Sequence, residues 1–161
     1  MAQGNPRLIE ALRQTARRLE TGAEYRWTHM GSCNCGHLAQ TVTGLSQHEI
    51  HRLALERAGD WSEQAREYCP ASGYPMDHLI ETLLDLGLTR DDLVHLERLD
   101  DRRILQQLLI AERDLDHRRR HDVVRYMRLW ADLLEREWVA GQDVPDRLPA
   151  LETAAVAAHT S

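Results

Sequence analysis

The sequence predicts an all-α fold: a compact bundle of about six or seven short helices, with a Cys/His-rich loop between the first two. Three observations support this. Apolar residues recur every three or four positions along most of the chain. Capping residues precede these stretches. No segment alternates convincingly like a β-strand, the best candidate being the short run Tyr25 to Thr28.

The length and composition predict one domain followed by a tail. The chain has 161 residues, enough to bury a single hydrophobic core, and it contains no phenylalanine, so leucine is the main core residue. We expect one helical, metal-binding domain over residues 1–144. Residues 145–161 are rich in alanine, proline and polar residues, and we expect them to form a flexible C-terminal tail.

Start and stop signals define three helices in the first half of the chain. Asn5 followed by Pro6 is an N-cap and first-turn pair, and Gly22 supplies the stop. Capping boxes open the next two helices, which end near Gly59 and before Cys69. The boxes consist of Ser46 with Glu49, and of Asp60 with Glu63.

Four further helices are predicted after the turn-rich sequence PASGYP. The first runs from about Pro75 to Leu86, and the last and longest runs from about Asp122 to Ala140. Two shorter helices lie between them, each introduced by a capping residue. These begin at Thr89, paired with Asp92, and at Asp100 or Asp101.

A stretch rich in cysteine, histidine and glycine interrupts the helical pattern at residues 22–45. It contains CNCGH at positions 33–37, and the chain has only one other cysteine, Cys69. We expect a loop here, ending in a short helical turn from Leu38 to Val42. Loops held by a rigid scaffold commonly carry binding groups, so this stretch is the predicted functional site.

The residue types in this stretch predict a zinc site. Thiolate sulfur and imidazole nitrogen bind zinc, and three cysteines with one histidine are a common structural set. Cys69 lies at a helix end before a proline turn, from which we expect it to fold back over the loop. The predicted role is structural, in sensing or as an adaptor, and no catalytic residue is assigned. The predicted ligands are Cys33, Cys35, Cys69 and one of His37 and His29.

Three other interpretations of the same residues remain open. An iron–sulfur cluster uses the same thiolate ligands. A redox protein would form a local disulfide between Cys33 and Cys35, which Cys69 would resolve. In the third, the thiols are free and pack as small buried groups, and His37 is satisfied by the backbone.

The Cys-x-Cys-Gly spacing at residues 33–36 resembles the small zinc motif at the end of bacterial SecA-type proteins. In that motif, further cysteine and histidine ligands follow closely, whereas this chain has none at the corresponding positions. The resemblance covers four residues, so no function is transferred from it.

Two other histidine patterns in the chain suggest metal sites. His48 and His51 are three residues apart, whereas the hydrolytic HExxH motif needs a spacing of four. The sequence favours a solvated helix face for them, with auxiliary ligation as an alternative. A di-metal site would instead use carboxylates three residues before a histidine. Such pairs are Asp92 with His95, and Asp114 with His117.

Charge and hydropathy indicate the class of partner. The net charge is −6, which disfavours nucleic acid because phosphate binding needs a positive surface. No apolar run approaches the roughly 20 residues that cross a bilayer, and no secretory signal is visible, so we expect a cytoplasmic protein without membrane contact. A helix face from Trp130 to Trp138 would suit a protein partner if the chain is a metal-free interaction module.

Overall fold

Capping residues mark where most helices begin, as the sequence predicts. The computed structural model describes residues 1–142, and there the all-α fold is confirmed. The Asn5 side chain accepts the backbone N–H of Leu8 at the start of the first helix. All three predicted capping boxes form with both of their hydrogen bonds, namely Ser46 with Glu49, Asp60 with Glu63, and Thr89 with Asp92.

The described residues contain eight α-helices and one short 3₁₀ helix, Ile110–Glu112, and no strand occurs among them. None of these helices combines the length and the apolar character that crossing a bilayer requires. The α-helices are α1 Pro6–Glu20, α2 Asn34–Thr43, α3 Gln47–Ala54, α4 Trp61–Arg66, α5 Pro75–Asp85, α6 Arg90–Arg98, α7 Arg102–Leu105 and α8 Arg120–Gln142.

Helix α2 lies at the centre of the bundle. It contacts α1, α3, α5 and α6, while α1 and α8 form the most extensive helix pair. Leucine dominates the interior, as expected from a chain without phenylalanine. The largest fully buried side chains are Trp61, Trp130, Tyr126, Leu8, Leu12, Leu19, Leu38, Ile50, Met76, Ile80, Leu83 and Leu93.

The aromatic face proposed for a partner is only partly at the surface. Trp130 lies in the core of the bundle, against Tyr126. Trp138, two turns further along α8, is 38% exposed. The two indoles therefore do not form one continuous exposed face.

Two elements differ from the sequence prediction. Helix α2 begins at Asn34, so Cys35 and His37 lie in its first turns and not in a loop. Packing on four neighbouring helices compensates for the weak helix-forming tendency of the CNCG sequence. Helix α7 is a single turn that ends at Leu105. The predicted tail at 145–161 lies outside the described residues.

Candidate thiol–carboxyl site

Two thiols lie at the start of α2, in the interior of the protein. Cys33 is the N-cap residue and Cys35 is the second residue of the helix. Cys33 is 1% exposed and Cys35 is fully buried. The Cys33 sulfur lies 3.6 Å from the backbone oxygen of Met30. The Cys35 thiol donates to the backbone oxygen of Leu93, at 3.3 Å.

A third acidic group, the carboxyl of Glu97 on α6, faces both thiols. Its Oε2 accepts the backbone N–H of Cys35 at 3.3 Å, and its side chain is 2% exposed. Burial raises the pKa of Glu97 to about 7. Burial, followed by the charge of Glu97, raises the pKa of both thiols well above the usual value. The two thiols and the Glu97 carboxyl, each of which is negative when ionised, thus lie close together in the interior of the protein.

Asn34 fixes this arrangement by joining α2 to α6. Its amide donates to the backbone oxygens of Leu96 and Glu97, at 3.0 and 3.1 Å. Its side-chain oxygen accepts the hydroxyl of Tyr25 at 2.6 Å. The Tyr25 hydroxyl also contacts the backbone oxygen of His117, so the segment before α8 is held at the same point. Burial raises the pKa of Tyr25, which keeps its hydroxyl protonated.

Residues 29–31 cover the thiols on the side of Cys33. The backbone oxygen of Met30 accepts the indole N–H of Trp61 at 2.7 Å, and its N–H donates to His51 at 3.2 Å. The backbone oxygen of Gly31 accepts the side-chain amide of Gln40 at 2.6 Å. The cover is therefore tied to α2, α3 and α4.

Glycine is required at position 31 because the backbone of α3 is so close. A Cβ atom there would lie 1.8 Å from the backbone oxygen of Gln47. We expect Gly31→Ala to lower the free energy of unfolding by about 3 kcal/mol, since backbone cannot move aside as a side-chain tip can. Urea unfolding measures this. Gly141→Ala is the control, because a Cβ at residue 141 meets open space. Equal stability of the two variants would contradict the packing described here.

His37 is held by one of its two ring nitrogens. Nε2 lies 2.8 Å from the backbone oxygen of Glu24, so this nitrogen carries the proton and donates it. Nδ1 is buried and has no hydrogen-bond partner. Burial lowers the pKa of His37, which favours the neutral ring. The ring therefore presents an unprotonated Nδ1 inside the protein.

The predicted Cys₃His ligands are distributed over different surroundings. Cys69 is exposed on the turn after α4, whereas Cys33 and Cys35 are buried. The His29 ring stacks on His51, with ring centroids 3.9 Å apart. Within residues 1–142, no three or more His, Cys, Asp or Glu side chains are placed so that they form a group able to hold a metal ion.

The other histidine patterns make local contacts. His48 is exposed and lies edge-on to His29, at 6.2 Å between ring centroids, whereas His51, which stacks on His29, is half-buried. His95 pairs with Asp100 at 2.6 Å, and the His117 ring packs against Trp27. Asp92 serves the capping box of α6. The two Asp-x-x-His pairs do not converge in the described part of the chain.

Taken together, the geometry defines a helical protein with a buried dithiol–carboxyl cluster at the junction of α2 and α6. Comparison of the chain with protein-family models, curated protein sequences and solved structures finds no match.

Proposed function

We propose that the protein is a thiol redox protein in which Cys33 and Cys35 alternate between dithiol and disulfide. The observation that carries the proposal is the Glu97 carboxyl, which is buried against both thiols. A buried carboxyl without a cationic partner is costly and is concentrated at functional sites. Here it provides the proton acceptor that buried thiols need.

The acid–base properties of Glu97 match this role. Only the thiolate is nucleophilic, and burial keeps both thiols protonated. A base works best when its pKa lies near the operating pH, and the pKa of Glu97 is about 7. As the disulfide forms, the thiols together give two electrons to an oxidant and lose two protons, the first of them to Glu97. Cys69 takes no part in this step.

A cytoplasmic location suits such a cycle. Cytoplasmic thiol systems keep cysteines reduced and return a disulfide to the dithiol. In this proposal the resting form is therefore the reduced pair, and oxidation is transient.

Thiol counting tests the proposal on the full chain carrying Cys69→Ser, which removes the exposed thiol. We expect hydrogen peroxide in slight excess to consume both remaining thiols of the folded protein and to lower the mass by two hydrogens. Glu97→Gln in the same background should slow the reaction at pH 7 by at least about tenfold, because general bases contribute this much or more. Folding of each variant is checked by circular dichroism. Equal rates with glutamate and glutamine, or thiols that oxidise only after unfolding, would refute the proposal.

A second candidate function is zinc binding by the same thiols, and His37 favours it. A metal-bound histidine commonly donates its other ring N–H to a backbone carbonyl, as His37 does to Glu24. The unpartnered Nδ1 is then the free donor atom. A zinc ion would stabilise the ionised thiols and so contribute to folding. The donor atoms available are the sulfurs of Cys33 and Cys35 and the Nδ1 of His37, which are not grouped as a metal site in residues 1–142, so zinc binding would require the chain to rearrange around the ion.

Metal analysis separates the two candidates. Protein purified without chelators is expected to contain no stoichiometric zinc or iron if the redox proposal holds. One zinc per chain, lost in Cys33→Ser but kept in Cys69→Ser, would support the second candidate. Visible absorbance with bound iron would instead support the iron–sulfur alternative.

A further inference from the structure

We propose that the oxidant of this site is a small, uncharged hydroperoxide, with Cys33 as the attacking thiol and Cys35 as the resolving thiol. This inference rests on the proposed redox function and specifies its substrate and the order of its steps. Three features carry it: the enclosure of the thiols, the acidic surroundings, and the different contacts of the two sulfurs.

Enclosure limits the size of the oxidant. Neither thiol is more than 1% exposed, and residues 29–31 lie over Cys33. Attack on a disulfide requires both of its sulfurs to enter in line with the thiolate, together with the groups attached to them. A peptide disulfide cannot reach this position while the cover is in place. Hydrogen peroxide is close to water in size and needs only a small opening.

The surroundings limit the charge of the oxidant. The charged group that acts most strongly on both thiols is Glu97, and Asp60 adds to its effect on Cys35. An anionic oxidant would meet repulsion from these carboxylates and would lose its hydration in a buried site. A neutral hydroperoxide avoids both costs.

The contacts of the two sulfurs differ and assign their order. Cys33 caps the ten-residue helix α2, and the backbone N–H of Gly36 acts to lower the pKa of its thiol, against the larger effect of burial. Helix N-termini stabilise negative charge, so Cys33 is the better placed thiolate. Both thiols donate to a backbone oxygen, but the Cys33 contact with Met30 is longer, at 3.6 Å, than the Cys35 contact with Leu93, at 3.3 Å, so Cys35 is the thiol held more firmly in its protonated form.

Oxidation of the dithiol by a hydroperoxide takes place in two steps. Glu97 accepts the Cys33 proton, and the thiolate attacks one oxygen of the hydroperoxide ROOH. The O–O bond breaks, Cys33 becomes a sulfenic acid, and ROH leaves with the proton that Glu97 returns. The Cys35 sulfur then attacks the sulfenic sulfur, and an S–S bond forms. Water leaves, made from the sulfenic hydroxyl and the Cys35 proton, and the peroxide has taken two electrons.

A comparison of oxidants tests the substrate class, again in the folded full chain with Cys69→Ser. The reduced protein is mixed separately with hydrogen peroxide and with glutathione disulfide, quenched with an alkylating agent and analysed by mass. We expect the Cys33–Cys35 disulfide to form at least about tenfold faster with hydrogen peroxide, because only the small neutral oxidant reaches the thiols. Faster reaction with glutathione disulfide would overturn this inference and leave the redox function standing. No disulfide with either oxidant would overturn both.

Trapping the intermediate tests the order of the thiols. In Cys35→Ser, hydrogen peroxide should produce a sulfenic acid at Cys33 that reacts with dimedone, since the resolving thiol is missing. In Cys33→Ser, the dimedone adduct should be at least about tenfold less abundant. An adduct found mainly at Cys35 would reverse the assignment. Circular dichroism of both variants shows that the comparison is made between folded proteins.

Discussion

Between pH 4.5 and pH 7, the wild type is expected to lose stability relative to the variant Glu97→Gln as the pH rises. Within this interval the folded protein keeps the Glu97 proton, because burial raises its pKa from 4.5 to about 7. The unfolded chain has already lost it. The contribution of Glu97 to stability therefore falls as the pH rises from 4.5 to 7, and it levels off once Glu97 also ionises in the folded state.

The expected size of this effect follows from linkage. Each pH unit in the interval lowers the free energy of unfolding by at most about 1.4 kcal/mol through Glu97, so the whole interval lowers it by roughly 3 kcal/mol. Glutamine has the same shape and does not ionise, and its oxygen can still accept the backbone N–H of Cys35. The free energy of unfolding of both proteins is measured with urea at several pH values, and the value for Glu97→Gln is subtracted from that for the wild type at each pH. This subtraction removes the contribution of His29, His37 and His117. Burial lowers the pKa of these histidines, so their contribution to stability changes with pH in the direction opposite to that of Glu97.

Glu49→Gln is the matched control for this prediction. Glu49 is an exposed carboxylate whose pKa is lowered by the hydrogen bonds of its capping box with Ser46. Its contribution to stability is present above its unfolded pKa and is lost as the pH falls below it. The control should therefore differ from wild type in pH dependence only below about pH 4.5. A difference curve for Glu97→Gln that is flat from pH 4.5 to 7 would show that Glu97 is not buried as described.

Local signals were sufficient to predict the helices. A capping box involves residues only three positions apart, so the starts at Ser46, Asp60 and Thr89 could be recognised from neighbouring letters. The start of α2 could not. Cys33 caps that helix without a side-chain hydrogen bond, and packing against four other helices stabilises it. A helix held by distant contacts leaves a weak local signal.

The site was predicted only in part, for a related reason. The sequence shows Cys33 and Cys35 together because they are only two residues apart, but Glu97 belongs to a helix about 60 residues further along. One signal for it was available. Glu97 lies four residues after Leu93 and one after Leu96, so it occupies the apolar face of α6. A lone carboxylate on an apolar stripe indicates a buried acid. Conversely, Cys69 is predicted as a ligand from its residue type and its place before a proline turn, but in the structure it lies exposed on that turn.

Trp61 is expected to be the side chain whose loss most exposes the thiols. Its indole is fully buried, and its N–H donates to the backbone oxygen of Met30, which lies against the Cys33 sulfur. Trp61→Ala should lower the free energy of unfolding by about 4 kcal/mol, the usual cost of removing a buried tryptophan. The milder Trp61→Phe keeps most of the volume and removes the donor. This leaves the cover at residues 29–31 without its bond to α4.

In Trp61→Phe, we expect Cys33 of the folded protein to be alkylated at least about tenfold faster than in the wild type. The reason is that losing a buried hydrogen bond costs roughly 1–3 kcal/mol, and this loss favours local opening of the cover. Trp130→Phe is the matched control, since it removes the same atoms from another buried indole. The Trp130 N–H has no hydrogen-bond partner, so removing it breaks no bond to the cover and should leave thiol reactivity unchanged. Alkylation is followed by mass in the Cys69→Ser background. If both phenylalanine variants react at the wild-type rate, the Trp61–Met30 bond does not hold the cover closed, and access to Cys33 must be controlled from the α6 side.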